Sequence, residues 1–149
     1  LLLMDLLIYM LPLGVRPIMI PDEARYAQIP HEMITTGNWV SPHLNGLRYF
    51  EKPVLGYWVT GISMQLFGEN AFAMRLPSAL SAGLSALAVF LLCARFSRRE
   101  STALYAAMIY LSMLGVFLIG TINILDSLFS FLLTNPFMKR FGFNGLLPV

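Results

Sequence analysis

Charge is scarce in this 149-residue sequence: Asp, Glu, Lys and Arg together make up 12% of it. A soluble domain carries about 25%. At half that density the surface cannot be dressed for water, which excludes an ordinary soluble globule. Disorder is excluded as well, because it requires low hydrophobicity with high charge. The net charge of +2 is too weak to make an electrostatic case for nucleic acid, which needs a basic patch. Cysteine is nearly absent. Cys93 stands alone, so no internal disulfide framework exists, and its apolar run (residues 89–94) reads it as a small buried hydrophobe. No Gly-rich phosphate loop is present. His31 and His43 lie in a Pro/Gly-rich segment without a recognised zinc spacing.

What is abundant is apolar residues, at 57%, with a mean hydropathy of +0.69. The expected class is an all-α integral membrane protein of about three to four transmembrane helices. Residues 1–15 are apolar except for Asp5 and fall short of the roughly 20 residues a span needs. They read as a first transmembrane helix whose start is missing. A signal peptide is disfavoured, since neither a basic n-region nor a small-residue cleavage site is present. Residues 76–94 and 101–120 are uncharged and long enough to cross. Residues 121–138 form a partial span interrupted by Asn123, Asp126, Asn135 and Pro136, and residues 139–149 form an atypical tail. Along the second span Ser78, Ala82 and Ala86 recur every fourth residue, beside Ala79 and Gly83. That is a small-residue face for close helix packing.

Residues 54–67 read as a helix between Pro53 and Gly68, a start and stop pair. At about 21 Å it is too short for a hydrocarbon core of about 30 Å, so it is expected in the interface or packed on the bundle. Residues 95–100 carry three arginines, which makes that loop cytoplasmic by the positive-inside rule. Residues 16–75 then form a long outward-facing loop with short interfacial helices. The next outward turn falls near Gly120, so Asp126 and the early loop share a side.

The loop contains its own helix signals. Asp22 suits an N-cap and Glu23 a first turn. Pro30 either kinks that helix or starts a second one ending at Gly37. Ala27, Met33 and Ile34 form a candidate apolar underside. Asp22, Glu23, Arg48, Glu51 and Lys52 read equally as caps and solvated loop residues or as a site. Asp126 is harder to dismiss: a carboxylate in an apolar segment faces a bundle interior, a cavity or a partner.

Read in order, the loop motifs become specific. They are Arg16-Pro17, Pro21-Asp22-Glu23-Ala24-Arg25-Tyr26-Ala27, Glu32-Met33, Gly37-Asn38-Trp39-Val40, Pro42-His43-Leu44, Gly46-Leu47-Arg48-Tyr49-Phe50-Glu51-Lys52-Pro53 and Gly56-Tyr57-Trp58. This order closely resembles the polyprenyl-phosphate-sugar-dependent membrane glycosyltransferases, the family that contains the protein O-mannosyltransferases. The likeness runs from about residue 1 to residue 133. It implies the N-terminal part of a GT-C-type fold in a bacterial inner membrane, with transfer on the periplasmic face. It implies Asp22 and Asp126 as the catalytic acids, and Arg25, Tyr26, Arg48 and Lys52 as the groups binding donor phosphate and substrate. Glu51, with Asp22, is the place for a possible divalent cation. The implied partners are a polyprenyl-phosphate-linked sugar donor, lipid A or another periplasmic acceptor, and membrane lipids.

A polyprenyl phosphate leaves as a stable anion, so it needs positive charge rather than a general acid. Lys52, with Arg25 or Arg48, would supply it. Asp22 would act as a base toward a Ser or Thr hydroxyl. Toward a lipid A phosphate, whose oxygens are largely ionised at neutral pH, it would orient. The stretch from Arg48 to Trp58 is most similar to the family branch that transfers 4-amino-4-deoxy-L-arabinose to lipid A. Protein O-mannosylation or transfer of another sugar is the alternative. Two other classes stand beside it: an inactive truncated fragment of such an enzyme, and an ion-coupled transporter with Asp126 as its ionisable site.

Overall fold

The computed structural model describes residues 1–18, 21–97 and 99–140, and side chains are described except at Glu100 and from residue 135 onward. The expected tail is therefore largely outside the described residues. Helices dominate. The first segment, α1, runs Leu2–Gly14. It is α-helical over Leu2–Asp5, widens to π over Leu6–Met10 and tightens to 3-10 over Leu11–Gly14. Pro12 explains the change, because a proline cannot donate to the carbonyl one turn back. The remaining elements are α2 (Asp22–Thr36), the two-residue strands β1 (His43–Leu44) and β2 (Leu47–Arg48), α3 (Val54–Phe67), α4 (Ala71–Phe96), α5 (Glu100–Ser112), α6 (Leu114–Thr121) and α7 (Leu125–Arg140).

The longest helix, α4, is the axis on which the others pack. It is the one helix among the described residues that is long and apolar enough by itself to cross a membrane. It begins at Ala71 rather than at residue 76, because Asn70 caps it by accepting a hydrogen bond from the Ala73 amide at 2.9 Å. Pro77 lies inside it and cannot donate to the Ala73 carbonyl. The Ser63 hydroxyl of α3 donates to that carbonyl instead, at 2.6 Å. The freed acceptor thus becomes the joint between α3 and α4. The small-residue face packs as expected: Ser78, Ala79, Ala82 and Ala86 are buried. Cys93 is half-buried on the same helix, not fully enclosed.

The uninterrupted helix expected over residues 101–120 is broken. Met113 is extended, and α5 and α6 meet there at 62°. Tyr9 of α1 fills the corner. Its hydroxyl donates to the Leu111 carbonyl at 2.6 Å, and its ring lies where a Cβ on Gly120 would come within 2.7 Å. Only glycine allows that approach.

In α2, Pro30 is accommodated within one continuous helix, which Gly37 ends at φ +71°. Its buried face is Glu23, Ala27, Ile29, Pro30 and Met33, with Ile34 half-buried. The antiparallel β1–β2 hairpin turns through Asn45 (φ +53°) and Gly46 (φ +78°), the positive pair that a two-residue primed turn requires. The Glu32 carboxylate receives both turn amides, from Asn45 at 2.6 Å and Gly46 at 3.2 Å. It thereby fixes the hairpin against α2.

Candidate active site

Every residue singled out for chemistry, except Asp126, comes from the first turns of α2 or from the stretch leading out of the hairpin. Asp22 is the first residue of α2, not its N-cap. Pro21 holds the cap position without a side-chain bond. The Asp22 carboxylate is therefore free to reach along the helix, and it accepts from Arg25 at 2.5 Å. The same guanidinium donates to the Tyr49 hydroxyl at 3.2 Å and lies 3.7 Å from Glu51. Tyr49 in turn donates to Glu51. Arg25 thus stands between two carboxylates from separate segments. The hydrogen bond to Glu51 pushes the Tyr49 phenol above its ordinary range, since losing its proton would set two anions together.

Tyr26 lies inward of this chain, its ring stacked on Tyr57 of α3 at 6.1 Å. Burial raises its phenol, and Arg25 pulls the other way. Asp22, Asp126 and Glu51 each raise it further. Asp126 sits in the first turn of α7, where the helix dipole favours an acid, and it is exposed. The fold therefore brings all three acids within electrostatic reach of one phenol. Arg48 and Lys52 are exposed, and neither side chain forms a hydrogen bond or ion pair among the described residues. They are the open cations of the stretch that carries Tyr49 and Glu51.

Among the described residues no group of three or more His, Cys, Asp or Glu side chains is placed to hold a metal. His31 pairs with Glu69 at 2.8 Å, and His43 contacts the Ser41 carbonyl at 2.8 Å.

The centre of the assembly was not singled out from sequence. Glu23 and Arg75 are each 1% exposed and form a two-pronged pair at 2.6 and 2.8 Å. Arg75 also donates to the carbonyls of Leu13, Arg16 and Pro17 at 2.7, 2.7 and 2.9 Å. All five guanidinium donors are thus engaged. Glu23 further accepts the Asn123 amide at 3.0 Å. Nothing local marks this pair; the one available signal was an arginine at the head of an apolar run, which must snorkel or find a partner.

The chain matches the dolichyl-phosphate-mannose-protein mannosyltransferase family over residues 1–140. It is 51% identical over 123 residues to the undecaprenyl phosphate-alpha-4-amino-4-deoxy-L-arabinose arabinosyl transferase of Aeromonas hydrophila, covering 83% of this chain and 22% of the relative. The Yersinia enterocolitica protein of the same name is 50% identical over 128 residues, 86% of this chain and 23% of that one. Among solved structures it resembles ArnT from Cupriavidus metallidurans bound to undecaprenyl phosphate, with a TM-score of 0.82 at 31% identity, covering 89% of this chain and 24% of that one. The apo state of the same protein aligns with a TM-score of 0.87 at 28% identity, over 99% and 27%. The chain thus spans about a quarter of the length of these proteins. The family match covers nearly all of this sequence, and relatives and structures agree with it: the chain belongs to the dolichyl-phosphate-mannose-protein mannosyltransferase family.

Proposed function

We propose that this chain supplies the acidic half of a glycosyltransferase site, which moves 4-amino-4-deoxy-L-arabinose from undecaprenyl phosphate to lipid A on the periplasmic face of a bacterial inner membrane. The observation that carries this reading is the pairing of a closed acid–base chain, Asp22–Arg25–Tyr49–Glu51, with two open cations, Arg48 and Lys52. The names of the A. hydrophila and Y. enterocolitica relatives support the choice of sugar and carrier. The family match alone supports the second reading, transfer to a protein hydroxyl.

In the reaction, an acceptor oxygen bonds to the anomeric carbon as the bond from that carbon to the phosphate oxygen breaks. The electron pair leaves with the undecaprenyl phosphate. Lys52 and Arg48 stabilise that developing negative charge. Arg25 is already committed to Asp22 and Glu51 and keeps those carboxylates fixed. A lipid A phosphate oxygen is ionised and needs no base. Asp22 and Asp126 therefore orient the acceptor and the sugar amine, and the protonated Tyr26 phenol is available to donate a hydrogen bond beside them. A divalent cation on Asp22 and Glu51 would have to displace the Arg25 guanidinium; loss of activity in EDTA restored by Mg²⁺ or Mn²⁺ would reveal that exchange. On the membrane topology, α4 and the bent α5–α6 pair cross, and the arginine-bearing connection between α4 and α5 faces the cytoplasm.

Native mass spectrometry of the detergent-solubilised chain with undecaprenyl phosphate tests the phosphate site. Adduct is expected with the unaltered chain and lost in the double variant Lys52→Gln/Arg48→Gln. Equal adduct in both would refute the assignment of these cations.

A further inference from the structure

The Glu23–Arg75 pair lies outside the reacting groups, yet it joins the segments that carry Asp22 and Asp126. Glu23 directly follows Asp22, and Asn123, whose amide it accepts, lies three residues before Asp126. Arg75 projects from α4 and gathers the carbonyls of Leu13, Arg16 and Pro17, where the chain leaves α1. Further along, Ser78 donates to the Ile124 carbonyl at 3.2 Å, and Ser127 donates to the Ser78 carbonyl at 2.7 Å, which fastens the start of α7 to the same helix. Asp22 and Asp126 are 104 positions apart in sequence and share no direct bond among the described residues. The Glu23–Arg75 ion pair is a buried polar anchor that both segments share.

We propose that Glu23 and Arg75 are positioning residues that set the register of the two catalytic acids. The inference rests on the site reading given above and extends it to residues that touch no substrate. A guanidinium is suited to the task. It is planar, it stays charged, and its five donors have fixed directions. A lysine offers one point charge with three donors, so Arg75→Lys keeps the charge and loses the geometry. A pair of methionines, Glu23→Met/Arg75→Met, removes both charges at similar volume. Such replacement of a buried pair commonly preserves folding while discarding the directional bonds.

The test is made on the whole chain in membranes, in a Cys93→Ala background carrying Asp22→Cys and Asp126→Cys. Crosslinking by a short bis-methanethiosulfonate reads the register directly, and it requires no transferase activity. Efficient crosslinking is expected with Glu23 and Arg75 intact. It should slow severalfold in Arg75→Lys and in the double methionine variant, while both remain inserted and protease-resistant. Where transfer is measurable, the same variants without the added cysteines should lose about 100-fold in kcat. Their KM for the donor should stay nearly constant, because Lys52 and Arg48 are untouched. Undiminished crosslinking in the double methionine variant would overturn the proposal. Failure of both variants to insert would overturn it too, showing that the pair holds the fold rather than the register. Loss of crosslinking without any transferase activity in the parent would leave this inference standing and count against the proposed reaction alone.

Discussion

Gly56 lies on the buried face of α3, where a Cβ would fall 1.6 Å from Leu125 Cδ2 and 3.0 Å from Leu125 Cγ. Leu125 is buried and immediately precedes Asp126. The leucine has little room to retreat, because the space between Gly56, Tyr57, Thr60, Ser78 and Leu128 is about 10 Å³, room for at most one water molecule. Gly56→Ala should therefore cost about 1–3 kcal/mol as an overpacked contact. Leu125→Ala alone should cost about 2–5 kcal/mol through the cavity it leaves. In the double variant the new methyl group occupies part of that cavity. The pair should then be no less stable than Leu125→Ala alone, which corresponds to a favourable coupling of about 1–3 kcal/mol. Unfolding of the chain in mixed detergent micelles, run as a double-mutant cycle, measures this. A neutral Gly56→Ala, or a double variant that loses the full sum of the two, would refute the contact and with it the placement of α7 on α3.

Three further outcomes follow from the same geometry. Tyr9→Phe removes a buried hydrogen bond at the α5–α6 corner and should cost about 1–3 kcal/mol in the same assay, because the Leu111 carbonyl loses its donor. Burial works to raise the Glu32 carboxyl, but bonds from Gln28, Gly46 and Asn45 outweigh it and hold the group below its ordinary 4.5. Its stabilisation of the hairpin is therefore complete above that value and lost as pH falls through the lowered one, so the protection factors of the Asn45 and Gly46 amides against hydrogen exchange should fall in acid. Arg25→Gln frees Asp22 and Glu51 together and should reduce transfer more than Arg48→Gln does; equal effects in a membrane transfer assay would contradict the bridging role.

The parts legible in sequence were those set by local chemistry. Pro53 and Gly68 bracket α3 at Val54–Phe67, and Gly37 stops α2, because those residues act through their own backbone limits. The small-residue face of α4 was legible from its period of four. What escaped required partners distant in the chain. Arg75 reads as the charged end of a loop, yet Glu23 and three carbonyls let it lie inside α4's buried surface. The break at Met113 falls within an unbroken apolar run, and it exists because Tyr9 of α1 takes the Leu111 carbonyl. The hairpin had a local signal in Asn45-Gly46, but the short flanking strands offered no alternation to announce it. At the site, the loop motifs named Asp22, Arg25, Tyr26 and Glu51, whereas the hydrogen bonds that join Arg25 to Glu51 through Tyr49, and the stacking of Tyr26 on Tyr57, appear only in three dimensions.

The central claim, that this segment serves aminoarabinose transfer, is tested most directly by grafting it in place of the matching segment of the A. hydrophila relative. The graft is expressed in a strain lacking its own transferase, and lipid A is read by mass spectrometry. Lipid A carrying 4-amino-4-deoxy-L-arabinose is expected from the graft and should disappear with Asp22→Ala or Lys52→Ala. An inserted graft that leaves lipid A unmodified, or modification that survives both substitutions, would contradict the assignment.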